Sequence, residues 1–287
     1  MSAVLSEPLA IYGAARPGPL ALIVQGFRDL WSRRRLARYL VQADLTKTGA
    51  NTLLGNIWWV MDPLLQMAVY VVFVQIIVGN KTPDYPLFVF AAILPWKWFS
   101  SGVNDAILSI LSQERIIKQV AFPKIVLPTA ATVSGIVSFA FGMIPLVALI
   151  VLFYSDRLSP TLLLIPAVAI VQFVFTLAVA IVLSALNVFY RDVGNLMRHV
   201  LRLWFYLSPA LYTQDQVAHL SVNHPELATL YGLNPFAVIL EAYHAVIFYG
   251  TQPDWQALGG LLGVSLILLA VAILIFKRVE PAFAKVL

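Results

Sequence analysis

Side chains able to do acid–base, nucleophilic or metal chemistry are sparse in this sequence of 287 residues, and several stand where such groups are costly. There is no cysteine, so neither a disulfide framework nor a Cys-ligated metal site is possible. The histidines at 199, 219, 224 and 244 have no metal-ligand spacing. No G-x-x-x-x-G-K-[ST] loop, H-E-x-x-H helix or G-x-S-x-G elbow occurs, so the chain does not bind ATP by a phosphate loop, and an enzyme reading rests on loose carboxylates. What stands out instead are Asp62, Lys97, Asp105 and Glu241, with His244, set inside apolar runs. A lone charge in hydrocarbon costs on the order of 3 kcal/mol or more, so each should meet a polar passage or a partner. Lys97 lies twelve residues into its run, roughly 18 Å deep at a helical rise of about 1.5 Å. It faces either a translocation path or a structural partner among Asp62, Asp105 and Glu241.

The elements that must position these residues follow from composition. The chain is 60% hydrophobic and 11% charged, with mean hydropathy +0.84, against roughly a quarter charged in a soluble domain. Continuous apolar runs, rather than alternating segments of about ten residues, exclude a barrel and predict an all-α integral membrane protein. Residues 1–55 hold no run of spanning length and form a cytoplasmic N-terminal segment; residues 56–287 form a six-helix transmembrane domain. The spans are placed at about 57–79, 86–111, 127–154, 161–189, 197–213 and 256–276. The fifth is short and opens on Arg198, His199 and Arg202, but without it the tail Lys277-Arg278 would fall outside.

Six crossings put sixteen basic residues in the cytoplasm and only Lys81 and Arg157 outside, a positive-inside bias that sets both termini in the cytoplasm. The formal charge of +5 is therefore a topology signal, with no nucleic-acid partner implied. After the breaker Arg16-Pro17-Gly18-Pro19, Leu20, Ile23, Val24, Phe27, Leu30 and Trp31 recur at helical spacing, which predicts an amphipathic helix on the membrane surface. Residues 214–255 lack basic residues, and from Asn234-Pro235 they read as re-entrant or interfacial helix on the extracytoplasmic side. Small residues at Ser134, Ser138, Gly142, Gly259 and Gly263 are expected to permit close helix packing within the subunit.

Five motifs in the connecting regions occur in a characteristic order. Asp44 opens a run into Leu54-Gly55-Asn56-Ile57-Trp58-Trp59 and Asp62-Pro63-Leu64-Leu65. Leu94-Pro95-Trp96 precedes Phe99-Ser100-Ser101, and Ile116-Ile117-Lys118 precedes Phe122-Pro123-Lys124. Asn187, Tyr190-Arg191-Asp192-Val193 and Leu207-Ser208-Pro209 form the fourth, and Leu233-Asn234-Pro235 with Glu241 the fifth. Over about residues 20 to 280 the sequence thereby resembles the transmembrane subunits of ABC-type polysaccharide exporters, the Wzm-like permeases of O-antigen, teichoic-acid and galactan export. It departs from them at Tyr243-His244, where a basic residue is usual, and at Lys97, where a small or polar one is.

The resemblance implies a homodimer in the inner membrane, embedded among membrane lipids, with two copies of a separate ATPase that bind the ATP and Mg. It implies a polysaccharide cargo on a polyprenyl-pyrophosphate lipid. Glu114, Arg115, Lys118, Phe122, Pro123, Arg191 and Asp192 would then be ATPase-coupling residues, and Asn234, Glu241 and His244 would belong to the re-entrant helix. Aromatic faces suit the apolar C–H faces of sugars. Trp58, Trp59, Tyr70, Phe73, Trp96, Phe205 and Tyr206 are accordingly candidate path residues beside Lys97, although single aromatics near span ends are more often interfacial anchors. A proton-coupled flippase or secondary transporter is the alternative, and would need carboxylates or histidines linked across the spans.

Overall fold

A computed structural model of the chain describes residues 17–49, 55–79, 82–214, 216–218 and 225–287. Arg16, Lys81, His219 and His224 lie outside these residues, as do 50–54 of the first motif and 219–224 of the 214–255 region. Regular structure among the described residues is entirely helical. The chain runs through α1 (Pro19–Ser32) and α2 (Arg34–Gly49) into α3 (Trp58–Tyr70), which a π-helical stretch extends to Ile77. There follow α4 (Tyr85–Ser109), the short α5 (Glu114–Gln119), α6 (Val126–Phe153), α7 (Ile165–Phe189) and α8 (Val193–Leu207). The last part holds α9 (Pro225–Gly232), α10 (Pro235–His244) with a π-helical extension to Tyr249, and α11 (Trp255–Val279).

Five helical stretches, Trp58–Ile77, Tyr85–Ser109, Val126–Phe153, Pro160–Phe189 and Trp255–Val286, are long and apolar enough to cross a membrane. They coincide with five of the six expected spans. At the fifth expected position, 197–213, the helix is α8, which starts at Val193 and stops at Leu207 because Ser208, before Pro209, is extended. Its 15 residues reach only roughly 22 Å. The segment nevertheless follows α4 from end to end. At one end Asn187 Nδ2 donates to the Ile107 carbonyl (2.9 Å) while its Oδ1 accepts from the Gly194 amide (3.1 Å). At the other, the Tyr85 hydroxyl donates to the Leu211 carbonyl (3.0 Å).

Helix α4 is the centre of the bundle. Close approach is set by glycine: a methyl group on Gly135 or Gly142 of α6 would lie 2.7 Å from Trp98 or 2.6 Å from Leu94. Those contacts bear out intrasubunit packing for Gly142. Gly259 and Gly263 on α11 differ, since a methyl group added to either would meet nothing within 4 Å, so they do not pack within the subunit as expected. Helix α1 docks through Gly26 against Ile273 of α11 and through Asp29, which pairs with Lys277 at 2.8 Å. Leu20, Val24, Phe27 and Trp31 stay exposed on the other side of α1, while Leu30 packs into the core.

Candidate functional site

The four-residue spacing of Trp58, Asp62, Gln66 and Tyr70 puts them on one face of α3, with Phe73 one turn further on. Asn195, Arg198, Arg202 and Tyr206 make the matching exposed stripe of α8, whose other face buries Leu201 and Phe205. The two stripes meet where Tyr70 packs on Phe205, ring centroids 5.5 Å apart, with Tyr206 alongside. The result is an open wall of aromatic rings, amides and charges on helices that are otherwise apolar. Such a face does not suit lipid. It suits a water-filled passage in which rings take the flat faces of a solute and polar groups its edges.

Lys97 stands at the edge of this wall. Its Nζ is 2.7 Å from Asp62 Oδ2, joining α4 to α3, so of the three expected partners the structure selects Asp62. The pair is not sealed: Lys97 and Asp62 both line a cavity of about 260 Å³ with Trp58, Trp59, Ser101 and Asp105. A second cavity of about 240 Å³ shares Asp44, Asp105 and Ser134 with it and reaches Ser112 and Gln113 at the end of α4. Together they form a polar cleft leading from the α5 end of the bundle to the α3 stripe. Its carboxylates outnumber its lysines, so Lys97 is no isolated anion receptor.

The aromatic candidates divide into two groups. Trp58, Phe73 and Tyr206 are exposed and Trp59 and Tyr70 half-buried, Trp59 resting on Phe141 of α6. Trp96 and Phe205 are 5% and 3% exposed and belong to the core, where Trp96 meets Phe99, Trp204, Phe205 and Phe236 edge-on or tilted. They brace the wall from behind. This position is not readable from residue type, because a tryptophan reads alike on either side of a helix.

The coupling candidates gather at the α5 end. Lys118 pairs with Glu114 at 2.6 Å, and Lys118, with a weaker pull from Arg191, holds the Glu114 carboxyl below its usual range. Helix α5 and the Tyr190–Asp192 turn thus lie at the same end of the bundle. Arg115, Lys118, Arg191 and Asp192 are exposed, whereas Phe122 is half-buried against the core around Ile117 and Ile125. The outward apolar residues here are Ile116 and Val120, at 47% and 54% exposure, and sequence reasoning missed them. After Pro123, the Lys124 amide donates to Glu280 Oε1, which fixes the exit of this loop to the end of α11.

Asn234 joins α8 to α10. Its Oδ1 accepts from the Phe236 amide (3.0 Å) and Trp204 Nε1 (2.8 Å), and its Nδ2 donates to Ser208 Oγ (3.0 Å). Phe236 packs on Phe99 (4.3 Å), fourteen residues along α4 from Tyr85, or roughly 21 Å. From there α10 climbs back, and His244 Nε2 donates to the Phe88 carbonyl (3.1 Å) with its ring stacked on Phe88 at 3.9 Å. His244 is thus a buried packing residue. Glu241 accepts from the Tyr231 hydroxyl.

The family model for ABC-2 type transporters matches residues 28–248, from the middle of α1 to the end of the α10 extension. The chain belongs to the ABC-2 type transporter family. An O-antigen export system permease protein of Myxococcus xanthus is 32% identical over 258 residues, 90% of this chain and 97% of that protein. A Klebsiella pneumoniae protein of the same description is 27% identical over 251 residues, 86% and 93% of the two chains. The chain is therefore a multi-pass membrane permease, and its relatives are transport subunits. In this ABC-2 permease the matched span takes in the whole α3–α8 wall, the α5 loop and α10. Gln66, Arg198, Arg202 and Trp204 are the site residues that sequence reading passed over; the period-four stripe on α8 was the available signal.

Proposed function

We propose that this chain is the membrane subunit of an ATP-driven exporter that moves a polysaccharide, carried on polyprenyl pyrophosphate, across the inner membrane. The observation that carries this reading is the exposed polar-aromatic wall of α3 and α8, a surface for sugar rather than lipid. It works as a homodimer, the second copy facing the wall and enclosing the passage. Two copies of a separate ATPase bind ATP and Mg and seat on the α5 and Tyr190–Asp192 loops, where Ile116 and Val120 offer apolar contact and Arg115 and Lys118 charge. Both termini lie in the cytoplasm, as the basic residues require.

Six crossings follow if the 194–211 segment is counted, and its course along the full length of α4 supports that count. The described residues between Tyr212 and Tyr249 then re-enter from the extracytoplasmic side, with their inner end at Asn234 to Phe236. The lipid-linked polymer enters by the cleft between α2, α3, α4 and α6, where Trp58 and Trp59 sit beside serines and carboxylates. Asp62 is tied to Lys97 and Glu241 to Tyr231, which disfavours a proton relay through these two carboxylates. Removing the gene should strip polysaccharide from the cell surface and accumulate lipid-linked polymer inside, with rescue by the intact chain. Unchanged surface polymer in the deletion would overturn the reading.

A further inference from the structure

A third cavity, of about 490 Å³, lies at the opposite end of the bundle from the coupling loops, between α10, the start of α11 and the turn after Ser208. Its volume falls in the range of small-ligand sites, roughly 300–1,000 Å³. Tyr212, Gln214, Glu241, Tyr249, Thr251 and Asp254 line it, and the stacked Phe88–His244 pair closes its back. The export wall on α3 and α8 contributes none of its stripe residues to this cavity.

Glu241 and Asp254 each commit one oxygen to the protein. Glu241 Oε1 accepts from Tyr231, and Asp254 Oδ1 caps α11 through the Gln256 and Ala257 amides at 2.9 and 3.0 Å. Neither carboxylate has an ion-pair partner among the described residues. Among the described residues no lysine or arginine lines the cavity, and the sequence has none between Arg202 and Lys277. Arg157, at the same end, is tied to Asp84 at 2.6 Å.

Two tyrosine rings, an amide and two carboxylates with a spare oxygen each make a surface that accepts hydrogen bonds from hydroxyl groups and covers C–H faces. The same carboxylates repel phosphates and uronates, since no basic side chain among the described residues lines the cavity beside them. We infer that this cavity is a binding site for an uncharged stretch of saccharide on the extracytoplasmic side of the protein. The inference rests on the export reading for its topology and narrows the cargo: the polymer segment held here carries no anionic groups. It also gives the unusual Glu241–Tyr231 pair a use, as Tyr231 orients the carboxylate from behind.

The absence of cysteine allows a direct test on the full chain with its partner subunits in right-side-out membrane vesicles. Thr251→Cys places one thiol at the exposed mouth of the cavity. Methanethiosulfonates of matched size should label it about tenfold faster when cationic than when anionic, and the Glu241→Gln/Asp254→Asn pair should erase that preference. Asn keeps the cap on α11, so the fold survives the change. Neutral oligosaccharides released from the producing cell's own surface polymer should slow labelling severalfold, and Tyr249→Ala should abolish the protection. Oligogalacturonate should protect in neither case. If no neutral oligosaccharide protects, or if the cell's polymer proves anionic throughout, the inference falls, whatever the charge preference. Loss of export on deletion without protection removes this cavity alone; protection without loss of export leaves a sugar site and removes the exporter reading.

Discussion

Helices α3 and α4 are neighbours joined by the Lys97–Asp62 pair, yet 78% of the spanning window of α4 is buried inside the subunit and only 6% of that of α3. The less apolar of the two is the one at the centre. In water the order would be reversed, because burial there follows hydrophobicity. In a bilayer, lipid solvates aliphatic side chains as well as protein does, and what needs protein neighbours is the group lipid cannot satisfy. Helix α4 carries Pro95, two tryptophans and Lys97, and Gln172 Nε2 donates to the Pro95 carbonyl at 2.7 Å. Helix α3 turns Asp62 toward Lys97 and Tyr70 toward Phe205, and what it and its extension leave exposed is largely aliphatic, Leu65, Val69, Val72 and Ile76, with Trp58 and Phe73 beside them.

The largest expected effect separates packed from open helix surfaces. Gly135→Leu and Gly142→Leu drive side chains into Trp98 and Leu94 and should each cost about 1–3 kcal/mol or more, lowering the melting temperature in detergent. Gly259→Leu, with open space around it, should leave melting unchanged. Equal losses at all three positions would break the contrast. Next in size is docking: Ile116→Asp or Val120→Asp should cut ATPase co-purification more than tenfold while the subunit still folds. Phe122→Asp should lower stability as well, since Phe122 is packed on the core. Normal ATPase recovery with both outward variants would remove the docking surface from this loop.

The Lys97–Asp62 link should have a smaller effect, because both side chains are partly open, at 31% and 62% exposure. A double-mutant cycle with Lys97→Gln and Asp62→Asn should give a coupling of about 1 kcal/mol. Lys97→Arg should keep most export. A stable Lys97→Gln subunit with full export and no coupling would make the residue a tolerated, snorkelling side chain. Smallest is Glu114–Lys118, an exposed pair. Its carboxyl is depressed in the folded protein, so its contribution is present above the usual carboxylate range and fades only as pH falls through the lowered value. ATPase docking should therefore be flat between about pH 8 and pH 6, above the ordinary glutamate range near 4.3. A marked loss inside that window would point to another group.

Continuous apolar runs made five spans legible in the sequence, since spanning length leaves little choice of element. The 197–213 segment was harder because its helix ends at Leu207 and the rest of its path along α4 is secured by hydrogen bonds from Tyr85 and Asn187, tertiary contacts that leave no periodic trace. Lys97 was recognisable as needing a partner, but three carboxylates were eligible, and only the packing of α3 on α4 selects Asp62. For the aromatics, residue type could not distinguish Trp58 on the open wall from Trp96 in the core behind it. The acid-lined cavity beside α10 was invisible because Glu241 and Asp254 are thirteen residues apart in sequence and meet only through the climb of the chain between them.

The central claim is that sugar polymer passes along the α3–α8 wall, and photo-crosslinking during export tests it most directly. A photoreactive amino acid placed at Phe73 or Tyr206 on the wall, and for comparison at Ile170 on the exposed outer face of α7, should be read with radiolabelled polymer in actively exporting cells. Passage along the wall predicts ATP-dependent crosslinks to polymer at Phe73 and Tyr206, and lipid alone at Ile170. Polymer crosslinks at Ile170 with none at the two wall positions would contradict it.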